Sequence, residues 1–130
     1  MNISTIINKL SGMRSMKKAS TDDIDAAQNQ LKVTFSDDYK EYLHEFGAIS
    51  AKGVELTGLN VSPRINVVDI TLAERMRSPS FPGGMYVIEN LAIDGILVLQ
   101  NSAGHIFEWQ PSGSCKKIYD DLSGYLREKM

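Results

Sequence analysis

The run from Gln28 to Leu59, QNQLKVTFSDDYKEYLHEFGAISAKGVELTGL, decides how this chain folds. Tyr39, Tyr42, Leu43 and Phe46 recur at helical spacing and so fall on one side of a helix. Ser36 stands where a side-chain oxygen caps the first turn, and Asp37 and Asp38 favour the positive end of the helix. Phe35 precedes the cap as a staple residue. Gly47 supplies a left-handed stop, and beyond it the period shortens to that of a strand over residues 53–57.

Working outward, Ile3, Ile6, Ile7 and Leu10 predict a first helix over residues 2–11, with Gly12 beyond its end. Thr21 is placed to cap a second helix through Gln30, with Ile24, Ala27 and Leu31 on its buried face. Downstream, a strand is expected within residues 64–69. Thr71-Leu72-Ala73-Glu74 has the spacing of a capping box, which predicts a short helix to about Arg77. Residues 78–84 are rich in proline and glycine and read as a loop. Residues 86–91, 95–100 and 105–110 are expected strands, joined by links short enough for hairpins. The middle one is apolar throughout its first part, hence central. In the last, His105, Phe107 and Trp109 share one face, and Ile106 and Glu108 the other. Ile118, Leu122, Tyr125 and Leu126 predict a terminal helix. Helices, then strands, then a helix is the order of an α+β domain: one unit over residues 1–130, with a largely antiparallel or mixed sheet packed against N- and C-terminal helices.

Composition narrows the function. A chain of 130 residues with 42% hydrophobic and 23% charged residues can bury a core of its own. Net charge of −2 does not favour nucleic acid, and the small basic clusters (Arg14, Lys17, Lys18; Arg75, Arg77) lack the interleaved aromatics of a stacking platform. No stretch approaches the roughly 20 apolar residues of a membrane span. A single cysteine fits a reducing compartment, and a cytoplasmic location is expected. The charge is unevenly placed. Residues 1–18 hold four cations and no acid, residues 19–60 hold eight acids against three lysines, and residues 83–115 hold Glu89, Asp94 and Glu108 without a cation. Such segments are ordinarily solvated faces; the sharper reading is an acidic surface over the later strands that steers a basic partner.

Residues with catalytic potential do not assemble into a recognisable motif. His44-Glu45 lacks the second histidine of a zinc-binding helix. His44 and His105 would have to meet in space to do acid–base work. Cys115 has Lys116 and Lys117 beside it, which lowers a thiol pKa, but no further partner is identifiable. Ser112-Gly113-Ser114 does not have the nucleophile-elbow spacing, and Gly83-Gly84 is followed by no phosphate-loop lysine. No catalytic, metal or cofactor residue is therefore expected.

The block LKVTFSDDYKEYLHEFGAIS followed by GVELTGL resembles the SUKH superfamily, which includes yeast cell-wall regulators and many bacterial immunity proteins. The matching positions are Leu31, Phe35, Asp38, Tyr39, Leu43, Gly47, Glu55, Gly58 and Leu59. VVDIT, YVIENLAIDGILVLQ, GHIFEWQP and IYDDLSGYL resemble the family's later segments, so the likeness spans about Ile24 to Leu126. Ser36 stands where many members have proline, and serine starts a helix equally well. The resemblance implies a protein-binding domain. Bacterial relatives neutralise a cognate toxin, often a nuclease, by stoichiometric contact and without chemistry of their own. Glu55, Asp94, Glu108 and Trp109, backed by Glu89, are the expected partner-binding residues. Of these, Trp109 ends a strand and reads as core before anchor, and Glu55 reads equally as a structural acid near Gly58. A regulatory scaffold of the same fold, and a small-ligand binder or enzyme, are the alternative readings.

Overall fold

Ser36 caps the central helix as expected. Its hydroxyl oxygen accepts the Tyr39 amide at 3.3 Å, and the helix (α3) runs Asp37–Phe46 with Tyr39, Tyr42, Leu43 and Phe46 buried. Phe35 packs edge-on against Tyr39 and Tyr86, with ring centroids 5.1 and 4.7 Å apart. It therefore ties α3 to a later strand as well as to its own first turn.

The computed structural model of the chain describes residues 2–130. In chain order it places α1 (Ile3–Asn8), β1 (Arg14–Ser15), α2 (Thr21–Leu31), α3, β2 (Ile49–Ala51), β3 (Val54–Leu56), a 3-10 turn (Pro63–Ile65), α4 (Val67–Arg77), β4 (Tyr86–Asn90), β5 (Leu97–Gln100), β6 (Ile106–Trp109), β7 (Cys115–Tyr119) and α5 (Leu122–Arg127). The strands form two antiparallel sheets, β1-β2-β3 and β4-β5-β6-β7, giving an α+β fold. Thr57 joins the sheets: its amide donates to the Ile88 carbonyl and its hydroxyl to the Val87 carbonyl, both at 2.9 Å.

Both faces of the four-stranded sheet are covered. Tyr86, Ile88, Val98 and Ile106 join the main core with α1, α2, α3 and α5. Val87, Leu97, Leu99 and Trp109 form a smaller cluster beneath Ile70, Phe81 and Met85. Double coverage explains why β5 is apolar without alternation, as its sequence led one to expect of a central strand.

Four expectations are corrected. Ser20, not Thr21, caps α2, in a reciprocal capping box with Asp23. Residues 64–69 hold no strand: Asn66 accepts the Val68 and Asp69 amides at 2.9 and 3.3 Å and starts α4 there. The β-branched run Ile65, Val67 and Val68 imitated a strand, but the local cap and the burial of Val67 and Val68 prevail. Thr71 lies inside that helix, and its hydroxyl accepts the Val87 amide at 3.0 Å. At the end of the chain, Ile118 belongs to β7, and Asp121 starts α5 by accepting the Gly124 amide at 2.7 Å.

A close crossing fixes the two sheets and α3. A Cβ on Gly47 would lie 1.8 Å from the Lys17 carbonyl oxygen, and one on Gly58 would lie 1.9 Å from the Gly47 carbonyl oxygen. Nearby, the Tyr42 hydroxyl donates to the Thr57 carbonyl at 2.8 Å and accepts the Ile49 amide at 3.0 Å. Tyr39 bonds to the Thr57 hydroxyl at 2.8 Å. At the other end of α3 a polar relay crosses the core. The Ser36 amide donates to the Tyr86 hydroxyl at 2.8 Å, which donates to Gln100 Oε1 at 2.8 Å. Gln100 Nε2 donates to Asp38 Oδ1 at 3.0 Å and to the Gly104 carbonyl at 3.1 Å, and Asp38 Oδ2 accepts the Leu122 amide at 3.0 Å.

Candidate functional site

Strand register lays Glu89, Val98, Glu108 and Lys116 in a row across the sheet, each opposite the next, on the face that carries α5. Where α5 ends, the row opens into a groove of about 470 Å³. Val98, Leu91 and Ile118 supply its apolar part, Glu108, Lys116, Lys117 and Lys129 its charge, and Tyr125 closes the side toward α5. The lysines alter the electrostatic expectation. The cation-free stretch ends at Cys115, and β6–β7 pairing brings the next two residues, Lys116 and Lys117, beside Glu108 and Phe107. This end of the sheet is mixed in charge, with cations outnumbering the one glutamate of the groove.

The five expected partner-binding residues do not form one patch. Glu89 is only 4% exposed. Its Oε2 accepts the Glu55 amide at 2.8 Å and its Oε1 accepts the Tyr125 hydroxyl, so it holds α5 and β3 to β4. Trp109 is fully buried in the smaller cluster, edge-on to Phe81 at 5.1 Å, and its Nε1 has no hydrogen-bond partner among the described residues. Glu55 is half-buried, and its carboxylate takes a bidentate contact from Arg64 at 2.6 and 3.0 Å. It lines a separate hollow with Asn90 and Ala92 at the foot of the β4–β5 hairpin. Asp94 is exposed in that hairpin at φ 53°. Only Glu108 lies in the groove.

Burial pushes the Glu89 carboxyl above its ordinary range, with the bonds from Tyr125 and Glu55 opposing. The Arg64 contact holds Glu55 below its ordinary range. For a carboxyl raised on folding, the folded state binds its proton more tightly. The protonated form is thus the stabilising one, and stability falls as pH climbs from the unfolded value through the folded one. Glu89→Gln keeps an acceptor for the Glu55 amide and an amide against Tyr125. Denaturant unfolding measured at several pH values is expected to show the wild type losing stability relative to Glu89→Gln as pH rises above the ordinary glutamate value of 4.5. Parallel curves would show that Glu89 is ionised alike in both states.

The catalytic possibilities are separated by the fold. His44 sits in the last turn of α3, its Nδ1 3.1 Å from the Ala19 carbonyl oxygen. His105 follows Gly104, which lies against Ser36 and Asp38 at the first turn. The two thus stand at opposite ends of α3. The Cys115 thiol is raised by desolvation rather than lowered by its lysine neighbours. Among the described residues no group of His, Cys, Asp and Glu is disposed to hold a metal ion, and no helix is long and apolar enough to cross a membrane.

The fold and the grooved, charged end of its sheet define a small α+β domain whose buried polar groups are engaged chiefly in holding its own elements together. The family model SUKH_5, described as SMI1-KNR4 cell-wall, matches residues 3–130, and the chain belongs to this family of the SUKH superfamily. No curated protein matches the sequence significantly. Most positions that carried the resemblance are structural: Leu31, Phe35, Asp38, Tyr39, Leu43, Gly47, Gly58 and Leu59 are core, relay or crossing residues, while Glu55 is the half-buried acid paired with Arg64. The groove was missed because nothing local marks it; its lining comes from β4–β7 and α5, and only the unalternated Cys115-Lys-Lys hinted at an edge strand.

Proposed function

We propose that this chain acts, as one domain, as a cytoplasmic immunity protein that binds a cognate toxin domain stoichiometrically and blocks it without chemistry of its own. The observation that carries the reading is the family match over nearly the entire chain. The open, charged groove supports it, since a shallow surface of this kind suits a macromolecule better than an enclosed small ligand. The test is co-expression with the toxin domain encoded beside it, scored for growth and for a one-to-one complex. Growth arrest without any complex would refute the reading. The family description names cell-wall proteins, which favours as second reading a regulatory interaction module of the same fold. Capture of several weak partners rather than one tight toxin would select it.

Of the four acids first expected to bind a partner, Asp94 and Glu108 remain accessible, with Glu55 at the side of the hairpin. Reversing Asp94 and Glu108 to lysine together is expected to slow association with a basic toxin roughly tenfold and to flatten its salt dependence, as stopped-flow mixing would report. An unchanged association rate would remove these two acids from the interface.

A further inference from the structure

The two edges of the four-stranded sheet differ. The β4 edge is closed by Thr57 bonding to Val87 and Ile88. The β7 edge is open: among the described residues no backbone hydrogen bond from residues 115–119 reaches anything but β6. The phase of the ladder tells which groups face outward. The Gln110 amide donates to the Ser114 carbonyl at 2.9 Å, which makes these two a bonded pair. Alternation along an antiparallel ladder then makes Trp109–Cys115 and Phe107–Lys117 non-bonded pairs. The amides and carbonyls of Cys115 and Lys117 point away from β6, and both residues are exposed.

The strand also stands between hollows. The groove of about 470 Å³ and neighbours of about 380 and 190 Å³ border it, sharing Lys116, Lys117, Ile118 and Tyr119 among them. Lys116, Arg127 and Lys129 line these hollows with no ion pair among the described residues, whereas Lys117 is held by Asp120 at 2.7 Å. Lysines on an edge strand ordinarily deter pairing. That deterrence has a sign. A second copy of β7 would bring lysine against lysine, and a segment carrying glutamate or aspartate would meet unpaired cations.

We propose that β7 is a docking edge at which an extended acidic segment of a partner protein adds as a further antiparallel strand, its backbone bonding to Cys115 and Lys117 and its carboxylates meeting Lys116 and Lys129. This deepens the protein-binding reading above and rests on it for the partner. It also differs from the expectation of a basic toxin surface, because the charge met at this edge is negative. Main-chain bonds supply affinity in such additions, and the flanking hollows receive alternate side chains.

The probe is a capped peptide of alternating glutamate and valine, with the lysine–valine peptide beside it, and amide exchange is read by NMR on the full chain. At millimolar glutamate peptide the Cys115 and Lys117 amides are expected to exchange roughly threefold more slowly or better, while the Lys116 amide, already bonded to β6, is unaffected. Cys115→Pro deletes one outward donor without touching the ladder to β6, and it should abolish the slowing at Lys117. Lys116→Glu, at an exposed position, should weaken it with the donors intact, so the test survives should the proline variant not fold. Equal slowing by the lysine peptide, no slowing by either, or protection that grows with protein concentration alone would overturn the proposal; the last would mean a second copy occupies the edge. A toxin complex that forms equally well with Cys115→Pro and Lys116→Glu would overturn it while leaving the immunity reading standing. Peptide protection without any toxin complex would do the reverse.

Discussion

Gly47→Ala and Gly58→Ala are each expected to remove about 3–5 kcal/mol of stability, enough to leave much of a domain of ordinary stability unfolded. At Gly47 the added methyl would meet the Lys17 carbonyl oxygen at 1.8 Å and its carbon at 2.6 Å, and the residue also has φ +73°. At Gly58 it would meet the Gly47 carbonyl oxygen at 1.9 Å and the Ala48 Cβ at 2.5 Å. The obstacles at Gly47 and the nearest one at Gly58 are backbone atoms, so no side-chain rotation relieves them. The crossing of the Lys17 segment, the end of α3 and the segment that follows β3 must open instead. Gly53→Ala is the control, because φ +83° there is combined with open space. It is expected to cost only the left-handed backbone penalty, about 1–2 kcal/mol. Urea unfolding of the three variants separates contact from conformation. Because the obstacle at Gly58 is the Gly47 carbonyl, the double variant should lose less than the sum of the singles. Equal small losses at all three positions would mean the crossing is not tightly packed.

Asp38→Ala is expected to cost about 3 kcal/mol, from two mechanisms that act together. Its Oδ1 accepts from Gln100 Nε2 and from the Ser36 hydroxyl, and its Oδ2 accepts the Leu122 amide at the start of α5. Gln100 is fully buried, and truncation leaves it one hydrogen-bonding partner short. It also frees α5 from the start of α3. Asp38→Asn is the discriminating companion. An asparagine keeps one acceptor but sets an NH2 group against either the Gln100 or the Leu122 N–H, so part of the loss should persist although shape is conserved. Thermal unfolding of both variants gives the comparison, and exchange of the α5 amides tells whether the helix loosens first. An Asp38→Asn variant as stable as the wild type would show that charge and acceptor count at this site do not matter.

These two results concern the residues by which the chain resembled its family, and both are stability effects. Ser36, Asp38, Tyr39 and Gly47 were legible because caps, helical spacing and glycine stops are written within a few residues, whereas Gly58 was marked only by the family resemblance. The same locality explains the failures. Ile65, Val67 and Val68 have strand character taken alone, and only the Asn66 cap and the burial of Val67 and Val68 make the segment the start of α4, with Ile65 left in the 3-10 turn before it. Cys115–Tyr119 has no alternation because it is an edge strand, and its identity comes from pairing with β6. Among the residues first expected to bind a partner, Glu89 resembles Asp94 and Glu108 as chemistry but not as position, and Trp109 took the core place its strand end had suggested. Glu89 lies under Tyr125 and Trp109 under Phe81, covers contributed 36 and 28 residues away in the chain.

By itself the amino-acid order determined the helix at Asp37–Phe46 with its cap and stop, the apolar set of the core, the first three strands after residue 85 and the α+β class, since each follows from contacts between near neighbours. The tertiary structure alone decided which acids are buried, that lysines stand beside Glu108, and that β7 presents an open edge above a groove. Burial and electrostatic environment are properties of pairs brought together across the chain: strand order makes β7 the edge, and a one-residue change of register would have moved Glu89, Glu108 and Lys116 to the other face.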